Sequence, residues 1–395
     1  MRETINIRNL GPIREVCIDH IKPLTVFIGE SGSGKSTAMK IIALFRWLNK
    51  QCNIREYLHL SGINRSPFRF RTESYLSNCG LTDYVTDKTV VEYSVDFGDG
   101  SPIFELSLKN KKLDARRAKV SRENISFNKI SFISEARGMI PSYLAGNSGQ
   151  TTKGTQLGFY FDEVLNDFLL ATQTNNKLKV PFLAVSFSVE KSGNSAKYYL
   201  TPTAGSEENR SYRIECRHGS SGMQNSIPLM LILRHFTAHF DFEKAFSRSV
   251  LNYLFYDDKL TQFRPVHNLG ALPKTIFVHI EEPELGLFPD AQCELINSLV
   301  NDSFIARNNH TNIMLSTHSP YVLNHLNLLI KASAANDTRF TNGAKMDFDN
   351  IAAYQFESGG IEDLKHCENN QCFIDTNVLS DTINDTYNRY AELRP

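Results

Sequence analysis

The sequence predicts an α/β fold in which a mixed β-sheet is accompanied by an antiparallel β subdomain and a helical insertion. Three observations predict it. An apolar strand runs through a glycine-rich loop into an apolar helix at 25–45. Two more apolar strands, at 276–280 and 313–316, end in polar residues. Alternating, strand-like stretches surround them, beginning with a hairpin through Gly11 and Pro12.

The composition excludes several classes of protein. With 395 residues, 41% hydrophobic and 22% charged, the chain is long enough for one large domain or two closely packed ones. Its formal net charge of zero gives no general attraction to nucleic acid or to an anionic membrane. We find no apolar run long enough to span a bilayer and no signal-peptide core at the start of the chain. We therefore expect a cytoplasmic protein.

The seven cysteines are scattered along the chain. None forms a Cys-x-x-Cys pair, and Cys367 and Cys372, with four residues between them, have no matching second pair. Zinc ligands usually come in such paired spacings. The sequence therefore predicts reduced thiols and no zinc site.

The glycine-rich loop fits the phosphate-loop pattern Gly-x-x-x-x-Gly-Lys-[Ser/Thr] between a strand and a helix. Glycines let successive backbone N–H groups converge on phosphates at the positive end of the helix. We expect Lys35 to reach the β- and γ-phosphates and Ser36 to bind Mg²⁺. The predicted nucleotide-binding residues of the loop are Gly29, Glu30, Ser31, Gly32, Ser33, Gly34, Lys35, Ser36 and Thr37. The sequence therefore predicts a nucleoside triphosphate site.

Acidic residues and a histidine follow the other two apolar strands. Glu281 and Glu282 come where a phosphate-loop fold places its metal-holding acid and its general base. We expect Glu281 to hold Mg²⁺ and Glu282 to orient or deprotonate the attacking water. Acids that end a strand are common, but the phosphate loop upstream favours the catalytic interpretation. We expect His318 to contact the γ-phosphate and the same water.

Taken in order, these motifs resemble those of the ABC-type ATPases. The phosphate loop, Glu-Glu-Pro-Glu at 281–284 and Ser-Thr-His-Ser-Pro at 316–320 are similar to the soluble branch that contains RecF, SMC and the OLD-like ATPases. The strand-end pair is usually Asp-Glu, and Glu-Glu is familiar in the OLD-like branch. That branch often continues with a Leu-His-Pro turn, whereas this chain has Leu287-Phe288-Pro289, so Phe288 is assigned no role. The resemblance implies a P-loop NTPase fold of ABC type that uses ATP and Mg²⁺.

A serine–glycine turn before an apolar helix looks like the ABC signature. It comprises Ser220, Ser221, Gly222 and Gln224, and Gly219 stands where the family normally has leucine. The resemblance implies that this helix N-terminus faces the γ-phosphate held by a second copy of the chain. The same serines also suit a simple helix cap, and the two roles are compatible.

Glu135 and Arg137, just past another strand, resemble an element of the OLD-like branch. The resemblance implies that Arg137 meets a phosphate and Glu135 the metal-bound water. A salt-bridged strand end is an equally good interpretation of this pair.

The motifs divide the chain into three predicted ranges. They are an ATPase lobe at 1–140, a helical and β insertion with the signature helix at 141–270, and a second ATPase lobe at 271–395. No heptad run has the length of a coiled-coil arm, which argues against an SMC-type rod. The last segment is too short for the Toprim nuclease domain of OLD nucleases and lacks its acids. The basic segment 111–122 is either a solvated strand pair or a contact for nucleic acid or an acidic protein.

Three functions follow from this resemblance. The first is a slow, regulatory ATPase that forms a homodimer or a higher even-numbered assembly. It would sense a protein or DNA trigger and control a separate effector, a nuclease or toxin, in anti-phage defence. The second is a RecF-like ATPase of DNA repair or recombination. The third, the nucleotide subunit of a membrane transporter, is the weakest, because no membrane segment is present.

Overall fold

The computed structural model describes residues 2–63, 72–96, 101–114, 118, 120–146, 158–192, 195–203, 212–256, 263, 272–305, 309–368 and 371–393. The strands are β1 (Arg2–Leu10), β2 (Ile13–Ile18), β3 (Leu24–Gly29), β4 (Val85–Asp96), β5 (Pro102–Lys109), β6 (Lys112–Asp114), β7 (Phe127–Ile133), β8 (Lys177–Val180), β9 (Val185–Ser192), β10 (Ser195–Pro202), β11 (Ile214–Glu215), β12 (Lys274–Glu281), β13 (Thr311–Thr317), β14 (Ile351–Glu357), β15 (Gly360–Asp363), β16 (Lys365–Glu368) and β17 (Gln371–Ile374). The helices are α1 (Lys35–Leu60), α2 (Thr72–Asn78), α3 (Ile140–Gly146), α4 (Phe159–Thr174), α5 (Ser221–Arg234), α6 (Phe242–Tyr256), α7 (Pro289–Val300), α8 (Pro320–Ala335) and α9 (Asn377–Glu392).

A six-stranded mixed sheet forms the centre of the fold, in the order β15-β14-β3-β13-β12-β7. β14, β3, β13, β12 and β7 run parallel, and only β15 pairs antiparallel, with β14. Parallel strands buried on both faces read as continuous apolar runs, which is how β3, β12 and β13 look in the sequence. The predicted strands at 276–280 and 313–316 are confirmed, and each extends slightly further at its ends.

The long helix α1 lies inside the core rather than on its surface. Apolar residues occur on all its sides, as expected for a helix that is covered all round. It packs on the central sheet through β7, β12, β13 and β3, and it also contacts β1. Tyr57, near its C-terminal end, meets the rings of Phe127 and Phe246 edge-on. The phosphate loop is therefore joined to a helix that the core holds in place.

Two antiparallel sheets accompany the central sheet, and the first of them is the predicted β subdomain. One has five strands in the order β2-β1-β4-β5-β6, and it includes the predicted hairpin through Gly11 and Pro12. The other has four strands in the order β11-β10-β9-β8 and lies between α4 and α5 in the chain. The helical part of the predicted insertion appears as α3 and α4. The mixed sheet, the antiparallel subdomain and the insertion together confirm the predicted fold class.

The cysteine prediction is wrong at one place. Cys367 and Cys372 form a disulfide. They face each other across the β16–β17 hairpin, where the antiparallel register pairs them directly. The sequence analysis had no hairpin there, so the two thiols looked unrelated. Cys17, Cys52, Cys79, Cys216 and Cys293 are free, and no metal-binding cluster of three or more His, Cys, Asp or Glu occurs in the described residues.

The division of the chain into three ranges stays a prediction. The central sheet takes β3 and β7 from the first range and β12 to β15 from the third, so these two ranges share one sheet. Of the basic segment 111–122, residues 115–117 and 119 lie outside the described residues. Among the helices that the structure describes, none combines the length and apolar character needed to cross a bilayer.

Candidate functional site

Three neighbouring parallel strands bring the predicted site residues to one edge of the central sheet. β3, β13 and β12 lie side by side, with Ile28 opposite Thr317 and Ser316 opposite Glu281. The phosphate loop follows β3, His318 follows β13, and Glu282 follows β12. Ligands bind at the carboxyl ends of parallel strands in open α/β sheets. The arrangement therefore creates one site from segments that are far apart in the sequence.

The phosphate loop ends in an open helix N-terminus. Gly34 is the N-cap of α1, with φ 111°, and no side chain caps the helix there. A Cβ atom on Gly34 would lie 2.8 Å from Cγ1 of the buried Ile13, so only glycine fits without a shift. Glu30, Ser31 and Gly32 are exposed at the turn of the loop. The first N–H groups of α1 are thus available to an anion.

Lys35 is buried beneath the loop. Its Nζ donates hydrogen bonds to the carbonyl oxygens of Gly29 and Glu30, each at 2.8 Å. Burial lowers the pKa of Lys35, and the nearby charges of Glu282 and Glu284 oppose that effect. A lysine held on the loop carbonyls is prepositioned at the place where the phosphates of a nucleotide would arrive.

The predicted metal-binding residues form an oxygen cluster beside the loop. Glu281, the last residue of β12, is buried and hydrogen-bonds to Glu135 and Ser36. Burial, followed by the hydrogen bond with Glu135, raises the pKa of Glu281 to about 7, whereas the same bond lowers the pKa of Glu135. A hydrogen bond between two carboxyl groups requires a proton on one of them, which agrees with the raised pKa of Glu281. One or two carboxylates and a hydroxyl, completed by waters and phosphates, match what Mg²⁺ requires, so these residues fit the ion.

Glu282 and His318 face each other across the mouth of the site. The distance from Glu282 Oε1 to His318 Nε2 is 3.6 Å, and both side chains are about one-third exposed, at 36% and 37%. A water molecule at this edge is within reach of both groups. The structure therefore brings together the two residues that were predicted to handle the attacking water.

Glu284 is a site residue that the sequence analysis missed. Its Oε1 accepts hydrogen bonds from Thr317 Oγ1 at 2.5 Å and from the His318 backbone N–H at 3.0 Å. Its Oε2 is buried and has no hydrogen-bond partner among the described residues. Glu284 thus fixes the backbone that carries His318. The third acid of Glu-Glu-Pro-Glu was the available signal.

The signature turn begins α5 and is capped by its own serine. Ser220 Oγ accepts a hydrogen bond from the Met223 N–H at 3.3 Å, which is the predicted helix cap. The side-chain amide of Gln224 donates to the carbonyl oxygens of Arg217 at 3.0 Å and Gly219 at 2.8 Å. This nitrogen of Gln224 therefore holds the turn, whereas the sequence analysis placed the residue on the nucleotide.

The tip of α5 is open to solvent on one side and packed on the other. Ser220 and Ser221 are exposed, whereas Gly222 is buried. A Cβ atom on Gly222 would lie 2.6 Å from the carbonyl oxygen of Gly286, in the loop that follows Glu284. The tip is therefore packed on the loop at Gly286 of its own chain, where a Cβ atom on Gly286 would lie 2.6 Å from Ser221 Oγ.

Arg137 lies in a different environment from the predicted one. Its side chain is fully buried, and its guanidinium donates to the carbonyl oxygens of Glu281 and Glu282, each at 2.6 Å. Burial lowers the pKa of Arg137 to about 10, against the opposing charge of four nearby glutamates, so it stays charged at neutral pH. Arg137 holds main chain here instead of facing a phosphate.

Two family models match parts of the chain. Residues 4–198 match a family model described as an AAA domain, and residues 162–323 match one described as an AAA ATPase domain. No curated protein is similar enough in sequence to be matched with this chain.

Solved structures with a similar chain course include heads of SMC proteins. The SMC head domain from Thermotoga maritima is 14% identical, with a TM-score of 0.38, and 92% of this chain and 98% of that one are covered. An SMC head bound to the C-terminal winged-helix domain of ScpA is 10% identical, with a TM-score of 0.41 and coverage of 95% and 98%. An SMC head with an extended coiled coil, bound to the C-terminal domain of ScpA from Pyrococcus furiosus, is 9% identical, with a TM-score of 0.39 and coverage of 97% and 98%. The assignment of the fold therefore rests on the strand order, the site geometry and the family models.

Proposed function

We propose that the chain is an ABC-type P-loop ATPase of the SMC- and RecF-like kind and that it hydrolyses Mg-ATP between two copies of itself. The observation that carries the proposal is the meeting of the phosphate loop, Glu282 and His318 at the ends of β3, β12 and β13. Together they supply, at one edge of the sheet, a loop for the phosphates, a base in Glu282 and a hydrogen-bonding group for water in His318.

Each residue has a defined task in this proposal. The N–H groups at the start of α1 and the ammonium of Lys35 bind the phosphates. Ser36, Glu281 and Glu135 would hold Mg²⁺, and the ion would neutralise charge on the phosphates. Glu282 accepts the proton of the attacking water or orients it, and His318 stands on the other side of that water.

The second copy is inferred from the tip of α5. Ser220 and Ser221 are exposed residues at the positive end of α5. Such an end attracts a phosphate, and the ABC resemblance gives that phosphate a source in the partner chain. Binding of ATP would then close the pair, because the nucleotide fills the gap between the loop of one copy and the tip of the other.

In the cell, we propose a slow, regulatory ATPase in the cytoplasm. Nucleotide-dependent closure would shift the population of paired chains in response to a protein or DNA trigger. A separate effector, a nuclease or toxin, would read that state, as in anti-phage defence. Larger assemblies of pairs fit the same scheme.

The test is a variant that binds ATP without turning it over. Glu282→Gln keeps the shape of the side chain but removes the base, so hydrolysis is expected to fall by about 10²- to 10⁴-fold. On a sizing column with light scattering, this variant with Mg-ATP should run at twice the mass of the single chain. Glu362→Gln, an exposed acid in β15, is the matched control and should hydrolyse ATP normally.

Two results would contradict the proposal. Glu282→Gln that stays a single chain with ATP would rule out the shared site. Ser221→Arg, which puts a bulky cation at the exposed tip, should keep ATP binding and lose closure; loss of binding would instead place Ser221 in its own chain's site. Salt-sensitive retention of duplex DNA in a gel shift, measured with and without ATP, would favour the RecF-like alternative.

A further inference from the structure

Arg137 joins two segments of the chain that serve different purposes. Besides the carbonyl oxygens of Glu281 and Glu282, its Nη1 donates to the carbonyl of Ser134 at 3.1 Å. Its Nε donates to the carbonyl of Asn225 at 3.2 Å, within the first turns of α5. One buried guanidinium thus ties the end of β12 to the helix that carries the signature tip. A planar guanidinium with donors in a fixed fork is suited to such a task.

The residue that Arg137 holds has an uncommon backbone conformation. Glu282 has φ 43°, in the left-handed region that a non-glycine residue rarely adopts. Its N–H donates to the carbonyl of Ser316 at 2.9 Å, and its own carbonyl accepts from Arg137. Residues in such conformations persist only when their surroundings hold them. The direction of the Glu282 carboxylate therefore depends on the Arg137 contact.

Helix α5 also packs directly against the segments around Arg137 and after Glu282. A Cβ atom on Gly138, next to Arg137, would lie 2.7 Å from Oδ1 of Asn225. The close approach of Gly222 to Gly286 makes a second contact between α5 and the segment after Glu282. Closely packed segments of this kind transmit displacement instead of absorbing it. A movement of the α5 tip is thus passed to the backbone of Glu282.

We propose that Arg137 is a positioning residue that couples the two nucleotide sites of the closed pair. This rests on the proposed function, in which the α5 tip of one copy completes the site of its partner. Glu282 of that same copy serves its own site. Within one copy, Arg137 contacts both the helix α5 that carries this tip and the backbone of Glu282. Engagement of the tip by the partner's nucleotide therefore sets Glu282 for hydrolysis in the chain's own site.

The coupling has a consequence that can be measured in the wild-type protein. Because each site is made competent by nucleotide in the other, ATP turnover should be cooperative, with a Hill coefficient above one. Binding of ATP to a single chain should not need Arg137, since the hydrogen bonds of its guanidinium in the described part of the chain go to main-chain oxygens.

The experiment is Arg137→Lys in the full-length protein. Lysine keeps the charge, but a single nitrogen cannot reach carbonyls on three segments together. We expect nucleotide affinity within about 2-fold of wild type, since no phosphate contact is removed. We expect kcat to fall on the order of 10- to 100-fold, as small misplacements of a catalytic group do, and the Hill coefficient to approach one. Arg389→Lys, the same change at an exposed arginine of α9, is the matched control, and its cooperativity should remain that of wild type.

The possible results separate this inference from the proposed function. Wild type that hydrolyses ATP without cooperativity, or a folded Arg137→Lys protein with the wild-type Hill coefficient, would overturn the coupling. A Glu282→Gln protein that never pairs would overturn the shared site itself. If Arg137→Lys melts far below wild type, Arg137→Gln is the second variant, since a neutral amide leaves no unpaired charge in the core. Unchanged cooperativity in that protein would equally contradict the coupling.

Discussion

Two helices of this molecule begin near the candidate site, and they differ in capping: α5 has a side-chain N-cap and α1 has none. α1 begins after Gly34, which offers no side-chain cap and leaves the first N–H groups of the helix open. α5 begins after Ser220, whose hydroxyl accepts the Met223 N–H. The N–H groups at the first helix end are left for an anion, whereas the Ser220 hydroxyl already satisfies one N–H group at the second.

This difference separates two kinds of binding element. An uncapped end on a rigid core helix keeps its donors free for the phosphates, and its binding is expected to be strong. A capped and exposed end adds a weaker attraction, through the helix dipole and the hydroxyl of Ser221, when a second chain approaches. Changes at α1 should therefore act on ATP binding, and changes at α5 on the pairing of chains and on the stability of the helix.

The largest effect is expected at Lys35. In Lys35→Ala the loop loses the cation that meets the phosphates, and a hydrogen bond to a charged group contributes about 1.5–3 kcal/mol. ATP affinity should therefore fall on the order of 100-fold, which titration calorimetry measures directly. Lys331→Ala, an exposed lysine on α8, is the charge-matched control and should bind ATP like wild type. Equal ATP affinities of Lys35→Ala and Lys331→Ala would mean that the start of α1 is not the phosphate-binding element.

Much of this site could be predicted from the sequence because its parts are local. A strand, a glycine loop and a helix in succession define the phosphate loop, and parallel strands place Glu282 and His318 at the same edge. The site lies where those motifs predicted it, although the roles of its residues stay predictions.

Other features depend on contacts between distant residues, which local patterns do not contain. Arg137 meets the carbonyl of Glu281, 144 positions further along the chain. The left-handed φ of Glu282 is set by that packing and has no sequence signal of its own. The Cys367–Cys372 bond depends on the register of a hairpin whose strands are only four residues long.

A smaller effect should come from the glycines of the loop. Gly32 and Gly34 both have positive φ, 80° and 111°, but a Cβ on Gly32 meets nothing within 4 Å, whereas one on Gly34 presses on Ile13. Gly32→Ala should cost about 1–2 kcal/mol of stability through backbone strain alone. Gly34→Ala should add about 1–3 kcal/mol of overpacking. Chemical denaturation that gives the same loss for both would mean that the start of α1 moves easily, against the rigid cradle inferred here.

The smallest effect is expected at the tip of α5, and it distinguishes its two serines. Ser220→Ala removes the cap of the helix and should lower the free energy of unfolding by about 1 kcal/mol. Ser221→Ala removes the hydroxyl of an exposed residue that does not cap the helix, and should change stability by less than about 0.5 kcal/mol. Denaturant titration of the nucleotide-free variants measures both. A larger loss for Ser221 than for Ser220 would mean that this end of α5 is held by the neighbouring loop at Gly286 and not by its own cap, and the contrast with α1 would fail.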